Sequence, residues 1–248
     1  RIFETIGELD TARSIANYRA GTKTWSVPAI GRQGAPIVLT SMVHPLIPEA
    51  QSGPNDVSLT DHGWLVLGSN MSGKSTLLKS VAVQAILAQS VSTTTCEGYA
   101  APPLRVRTLI HVEDDLEHEK SHFFVEAEAV RDMLVEECDD MDRLCVGDEL
   151  FRGTNTQDRV AAGAAVLRGL HRRGAFVVAA THDAELLDLL EAELDPHYFT
   201  ERIEKGRLVF DYRLHAGRAA PRNALAVLAL VGCPDDVLAD ARVYSPEA

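Results

Sequence analysis

Cysteine, aromatic residues, positive charge and long apolar runs are all scarce in this chain, and each scarcity removes a class of protein. The four cysteines (Cys96, Cys138, Cys145, Cys233) are scattered and form no C-x-x-C pair. Such spacing builds neither a disulfide framework nor a zinc site, and it predicts buried free thiols in a reducing cytoplasm. No apolar run approaches the roughly 18 residues of a membrane helix, so no membrane contact is expected within the chain. The opening Arg1-Ile-Phe-Glu-Thr-Ile-Gly-Glu carries no signal-peptide pattern. It also lacks an initiator methionine, which predicts a fragment or a processed chain.

Lysine and arginine number 24 against 36 acidic residues, a formal charge of −12. A surface built to grip a phosphate backbone is basic. This chain as a whole repels nucleic acid, so DNA contact is expected to be local or to come from regions outside it. Internal repeats and low-complexity segments are also missing. What remains is a globular composition of 248 residues, 46% hydrophobic, enough for one large domain or two small ones.

Periodicity predicts a helix over residues 2–20, with Ile2, Ile6, Leu9 and Ala16 on or near one face. A proline- and glycine-rich stretch from Val27 to Pro54 holds short strand-like pieces such as Ile37-Val-Leu. Trp64-Leu-Val-Leu is a strand, and Leu77, Val81, Ala85 and Ala88 mark the helix after it. A strand is expected over 104–112, then an acidic run and a helix from Ser121 to about Cys138. Arg143-Leu-Cys-Val reads as a buried strand. Asp158 is placed to cap a helix carrying Val160, Ala164, Leu167 and Leu170. Ala175 to Ala180 is a further strand, followed by a helix over 184–193. Arg202 to Leu214 reads as a hairpin turning at Lys205-Gly206, and two short helices broken at Gly232-Cys-Pro234 close the chain. Strands alternating with helices imply an α/β fold with a parallel sheet.

Between the strand at Trp64 and its helix lies Gly68-Ser69-Asn70-Met71-Ser72-Gly73-Lys74-Ser75, followed by Thr76. It satisfies the P-loop pattern G-x-x-x-x-G-K-[ST] in the required strand–loop–helix setting. Glycines let the backbone turn several N–H groups inward, and the helix N-terminus adds partial positive charge, so the loop suits a nucleotide phosphate. Lys74 is the candidate for the β- and γ-phosphates, and the Ser75 hydroxyl for Mg²⁺. Downstream, Leu144-Cys-Val-Gly ends in Asp148 and Glu149. Asp148 suits the same Mg²⁺, directly or through water, and Glu149 suits the attacking water as base or orienter. His182 stands just beyond Phe176-Val-Val-Ala-Ala, where a polar side chain can sense the γ-phosphate or the water.

Taken together, Gly68-Ser-Asn-Met-Ser-Gly-Lys-Ser-Thr, Asp148-Glu-Leu-Phe-Arg-Gly-Thr-Asn-Thr-Gln-Asp158 and Ala180-Thr-His-Asp183 resemble the ATPase domain of the MutS mismatch-repair family, an ABC-type ATPase. The resemblance reaches His44-Pro45, Pro54-Asn-Asp-Val-Ser-Leu, Tyr212-Arg-Leu-His-Ala-Gly and Val231-Gly-Cys-Pro234, so it covers nearly the whole chain. It implies a P-loop NTPase fold, a mixed and largely parallel sheet flanked by helices. The implied division is the end of a helical lever or connector over 1–24, the ATPase domain over 25–216, and a C-terminal helical segment over 217–248. The implied activity is hydrolysis of Mg-ATP in a cytoplasmic homodimer that sandwiches its nucleotides. In that arrangement Ser121 completes the partner's site in trans, where it also suits the N-cap of its own helix. Asn155 then lies near the subunit junction, and Tyr212 places its ring against adenine.

Ser69 and Ser72 stand where the family usually has proline and glycine. Ala220-Pro-Arg-Asn-Ala lacks the usual Ser-Tyr-Gly, and an aromatic residue near Gln51-Ser52 is absent. These departures imply a divergent bacterial-type branch. Three other readings compete. One is a nucleotide-gated interaction module with little hydrolysis and no role in mismatch repair. Another is a transporter or chromosome-organising ABC ATPase, against which stands the lack of a Leu-Ser-Gly-Gly-Gln-type segment before Arg143. The last is a zinc protease through His118-Glu-Lys-Ser-His122, which needs both histidines on one helix face. A helix start at Ser121, between them, opposes it.

Overall fold

A computed structural model describes residues 1–48, 53–69, 71–110, 122–136, 140–204, 206–218 and 224–244. Helix α1 (Ile2–Gly21) precedes strands β1 (Ala29–Ile30), β2 (Ile37–Met42), β3 (Asn55–Leu59) and β4 (Gly63–Leu67). Next come α2 (Lys74–Ser90), β5 (Gly98–Ala101), β6 (Leu104–Leu109), α3 (His122–Val135) and β7 (Asp142–Asp148). Helix α4 (Thr156–Arg172), β8 (Phe176–Thr181), α5 (Glu185–Leu190) and β9 (Leu194–Tyr198) follow. Strands β10 (Glu201–Glu204), β11 (Arg207–Phe210) and β12 (His215–Ala216) lead to α6 (Ala224–Leu230) and α7 (Asp235–Tyr244).

Six strands form the central sheet in the order β12-β9-β4-β8-β7-β6, all parallel except β12. The expected mixed, largely parallel sheet is therefore present. Period-two alternation sends its side chains to two cores. Val66, Leu144, Val146, Val178 and Ala180 pack with α2 and with a smaller sheet, β1-β5-β2-β3. Leu65, Leu67, Cys145, Val177 and Ala179 pack against α3, α4 and α5. Burial on both faces is why the β4, β7 and β8 sequences read as continuous apolar runs.

Polar side chains fix this stack. On α2, Gln84 donates to Val43 O (2.9 Å) and accepts from Thr95 N (2.9 Å). Gln89 makes the same two-way bond with the backbone of Leu104. Arg143, on β7, donates to Met133 O, Glu136 O and Arg173 O, closing the carbonyl ends of α3 and α4 with one cation.

Several expectations need correction. Asp158 does not cap α4: the cap is Asn155, whose side chain accepts from Asp158 N at 3.0 Å, so Asp158 lies in the first turn. The helix expected over 184–193 stops at Leu190, because Leu194 begins β9, and the strand expected from 104 ends at Leu109. Ile2, Ile6 and Leu9 are exposed, and no residue of α1 is buried. Its last turn is tied down: Arg19 donates to Ser92 O and Thr93 Oγ1 (2.9 Å each) and lies 4.7 Å over the Trp25 ring. Cys96 and Cys145 are buried free thiols, as expected, and Cys233 is free but half-buried; Cys138 lies outside the described residues. Among the described residues no helix is long and apolar enough to cross a membrane.

Candidate functional site

Strands β4, β8 and β7 lie side by side and end at the same edge of the sheet, where parallel α/β folds collect their functional groups. From β4 the chain turns at Gly68, whose φ of 147° belongs to glycine. A Cβ there would stand 2.7 Å from Ser72 Oγ and 3.3 Å from Phe199 Cβ. Ser72 is fully buried, and its N–H (3.1 Å) and hydroxyl (2.8 Å) both donate to Ser69 O. The serine in place of a glycine thus adds a hydrogen bond that tightens the loop. Ser69 Oγ donates to the Glu201 carboxylate on β10. Met71 is exposed, and Asn70 lies outside the described residues.

Gly73, with φ 111°, is the N-cap of α2, and Lys74 and Ser75 open the helix. Lys74 is 2% exposed, and its Nζ donates to Gly68 O (2.5 Å) and Ser69 O (3.0 Å). Burial lowers its pKa, opposed by the negative charges of Glu149, Asp148 and Glu201. Three carboxylates therefore face one buried ammonium group.

Two of them come from the end of β7. Asp148 is its last residue and half-buried. Glu149 follows at φ 52°, a left-handed backbone that is uncommon outside glycine and here lies at the strand end. Its N–H donates to Ala180 O on β8 (2.9 Å), which holds the turn against the neighbouring strand. Phe151 is also left-handed (φ 61°), and its N–H donates to buried Glu126 of α3 (2.7 Å). The Glu149 carboxylate lies 4.0 Å from Lys74 Nζ, 3.3 Å from His182 Nδ1 and 3.6 Å from Arg152 Nε. His182, just past β8, keeps 47% of its side chain exposed and so reaches both Glu149 and solvent.

Beside the loop opens a cavity of about 660 Å³, lined among others by His44, Asn55, Gly73, Thr76, Phe199 and Tyr212. Tyr212 stacks on Phe210 (ring centroids 5.8 Å apart), and its ring lies over Gly73, where an added Cβ would meet it at 3.4 Å. The Asn55 side chain holds this wall, donating to Tyr212 O (3.0 Å) and accepting from Leu214 N (2.7 Å).

MutS domain V matches residues 64–247. The chain belongs to the MutS family. It is 37% identical over 201 residues to the DNA mismatch repair protein MutS of Thermus aquaticus, covering 80% of this chain and 24% of that protein. Against the DNA mismatch repair protein MutS of Natronomonas pharaonis the identity is 33% over 251 residues, 96% of this chain and 28% of that protein. The chain thus spans about a quarter of the length of these MutS relatives.

Of the residues expected at the MutS-like site, the fold brings together Gly68, Ser69, Lys74, Glu149 and His182, with Asp148 within electrostatic reach. Thr76 and Tyr212 line the adjoining cavity. Ser121, His118 and the side chain of His122 lie outside the described residues, and among those described no cluster of His, Cys, Asp or Glu is arranged to hold a metal. Sequence reasoning missed Glu201, Asn55 and the pair Arg159–Asp183. Asp183 had a signal, since it follows His182 in the same strand-end motif; Arg159 and Glu201 act across the fold and had none.

Proposed function

We propose that this chain is the ATP-binding and hydrolysing motor domain of a MutS-like protein, with a P-loop NTPase fold of ABC type. The observation that carries this reading is the convergence of Lys74, Glu149 and His182 at the ends of three adjacent parallel strands, beside a loop whose glycines have the needed backbone. Lys74 exchanges its carbonyl partners for phosphate oxygens, and the N–H groups of the loop up to Thr76 surround them. Glu149 orients the attacking water and takes its proton, while His182 steadies the carboxylate from the solvent side. Tyr212 packs against the base in the cavity.

Ser75 and Asp148 offer a hydroxyl and a carboxylate on the segments that flank Lys74. These hard oxygen donors fit Mg²⁺. The ion, when bound, neutralises charge on the phosphates. As in the family's two-subunit arrangement, a homodimer completes each site with Ser121 of the second subunit, and Asn155 lies near the junction. The exposed α1 couples the domain to what precedes it, as the end of a connector over 1–24, and residues 217–248 form the C-terminal helical segment. The charge of −12 leaves mismatched DNA to other regions of a cytoplasmic repair protein. Ser69 and Ser72 support a divergent branch.

Phosphate release from Mg-ATP by the chain alone, with and without a mismatched duplex, tests this reading. Turnover that ignores the duplex is expected. Absence of turnover with intact ATP binding would leave only a nucleotide-gated interaction module.

A further inference from the structure

Arg159 and Asp183 form the best-made ion pair near the site, and the proposed chemistry uses neither. Arg159 stands on the first turn of α4 and Asp183 just beyond His182. The guanidinium grips the carboxylate bidentately, Nε to Oδ2 at 2.7 Å and Nη2 to Oδ1 at 2.8 Å. Both side chains are largely buried, at 13% and 8% exposure. Each is also anchored to its own loop. Arg159 reaches Thr154 O (3.5 Å) and Thr156 Oγ1 (3.4 Å), at the end of the segment that begins with Glu149. Asp183 N donates to Thr181 Oγ1 (3.0 Å), folding the strand-end turn that carries His182.

The pair therefore clamps together the loops that bear Glu149 and His182. The same loops also meet at the Glu149 N–H bond to Ala180 O and through a half-exposed imidazole 3.3 Å from a carboxylate. Asp183 Oδ1 also lies 3.8 Å from His182 Nε2, so the histidine stands between two carboxylates, one of them fixed by Arg159. We infer that Arg159 and Asp183 are positioning residues that hold His182 against Glu149 for ATP hydrolysis, without touching nucleotide. The inference rests on the ATPase reading. Arg159's hydrogen bonds hold the Asp183 carboxyl below the usual carboxylate range, against its burial.

The test is Arg159→Gln and Asp183→Asn, singly and together. Removing one partner of a buried pair leaves the other charge stranded and risks unfolding, whereas the double variant strands none. In the double variant kcat should fall by roughly 10- to 100-fold, the scale of a displaced catalytic group. The affinity for a fluorescent ATP analogue should stay within about twofold, because Lys74 and its loop are untouched. A folded single variant should lose no more than the double, since the two residues act as one unit. Parental kcat in the double variant, or nucleotide affinity falling in step with kcat, would overturn the inference. If the parent itself binds ATP without turnover, the ATPase reading fails and a crystal structure of the double variant decides. Movement of His182 Nδ1 out of reach of the Glu149 carboxylate then supports the clamp, and retention of their 3.3 Å separation overturns it.

Discussion

Lys74 Nζ lies 4.0 Å from Glu149 Oε1, with 2% and 10% of the two side chains exposed. The distance is too long for a good hydrogen bond, and Lys74 instead directs its protons to Gly68 O and Ser69 O. The ammonium group is thus held by two backbone carbonyls while its charge is balanced by carboxylates across the gap.

Lys74→Ala should weaken Mg-ATP binding by about one to two orders of magnitude, since removing a charge-assisted hydrogen bond costs about 1.5–3 kcal/mol. Titration with a fluorescent ATP analogue measures it. Parental affinity would remove Lys74 from the site.

A second prediction concerns acid stability. Arg107 Nε donates to Glu136 Oε2 at 2.7 Å and Arg105 Nη1 to Glu136 Oε1 at 2.9 Å. Hydrogen bonds from Arg107, then those from Arg105, outweigh burial and pull the Glu136 carboxyl from 4.5 down to about 2. A lowered carboxylate pKa stabilises the fold above the unfolded value and loses that contribution as pH falls through the folded one. Glu136→Gln should therefore be less stable than the parent near neutral pH, by up to about 1 kcal/mol because the arginines are partly exposed. The gap should close as pH falls from 4.5 towards 2. Urea unfolding at neutral pH and near the lower limit tests this, and an unchanged gap would refute it.

Much of this fold is legible in the chain because the buried strands and helices repeat their patterns clearly. The β4–α2 unit, β7, α4 and β8 lie where periodicity puts them, whereas the hairpin expected over 202–214 ends early, β11 stopping at Phe210, and Lys205 of its expected turn lies outside the described residues. Strand β9 carries Asp195 and Pro196, residue types depleted in strands. The fold tolerates the proline because Pro196 O accepts from Gly217 N, so that residue's missing N–H faces the short neighbour β12 and not β4. Strand β5, Gly-Tyr-Ala-Ala, has little strand propensity of its own and is set by pairing with β2 and β1. Helix α1 shows the opposite case: its apolar residues promise a packed face, yet Ile2, Ile6 and Leu9 stay exposed.

At the site, residues adjacent in sequence to a glycine loop or a strand end could be read directly. Lys74, Asp148, Glu149 and His182 are of this kind. Arg159 and Asp183 are 24 residues apart, and Ser69 and Glu201 are 132 apart. Such pairs meet only once the sheet has ordered its strands, so no local pattern announces them.

The most direct test of the central claim is Glu149→Gln in Mg-ATP, followed by phosphate release and sedimentation together. The substitution keeps the side chain's size and removes its capacity to take a proton. Retained ATP binding is predicted, with turnover reduced by about 100-fold or more and accumulation of an ATP-bound dimer. Turnover at the parental rate, with the protein sedimenting as the parent does, would contradict the role given to Glu149.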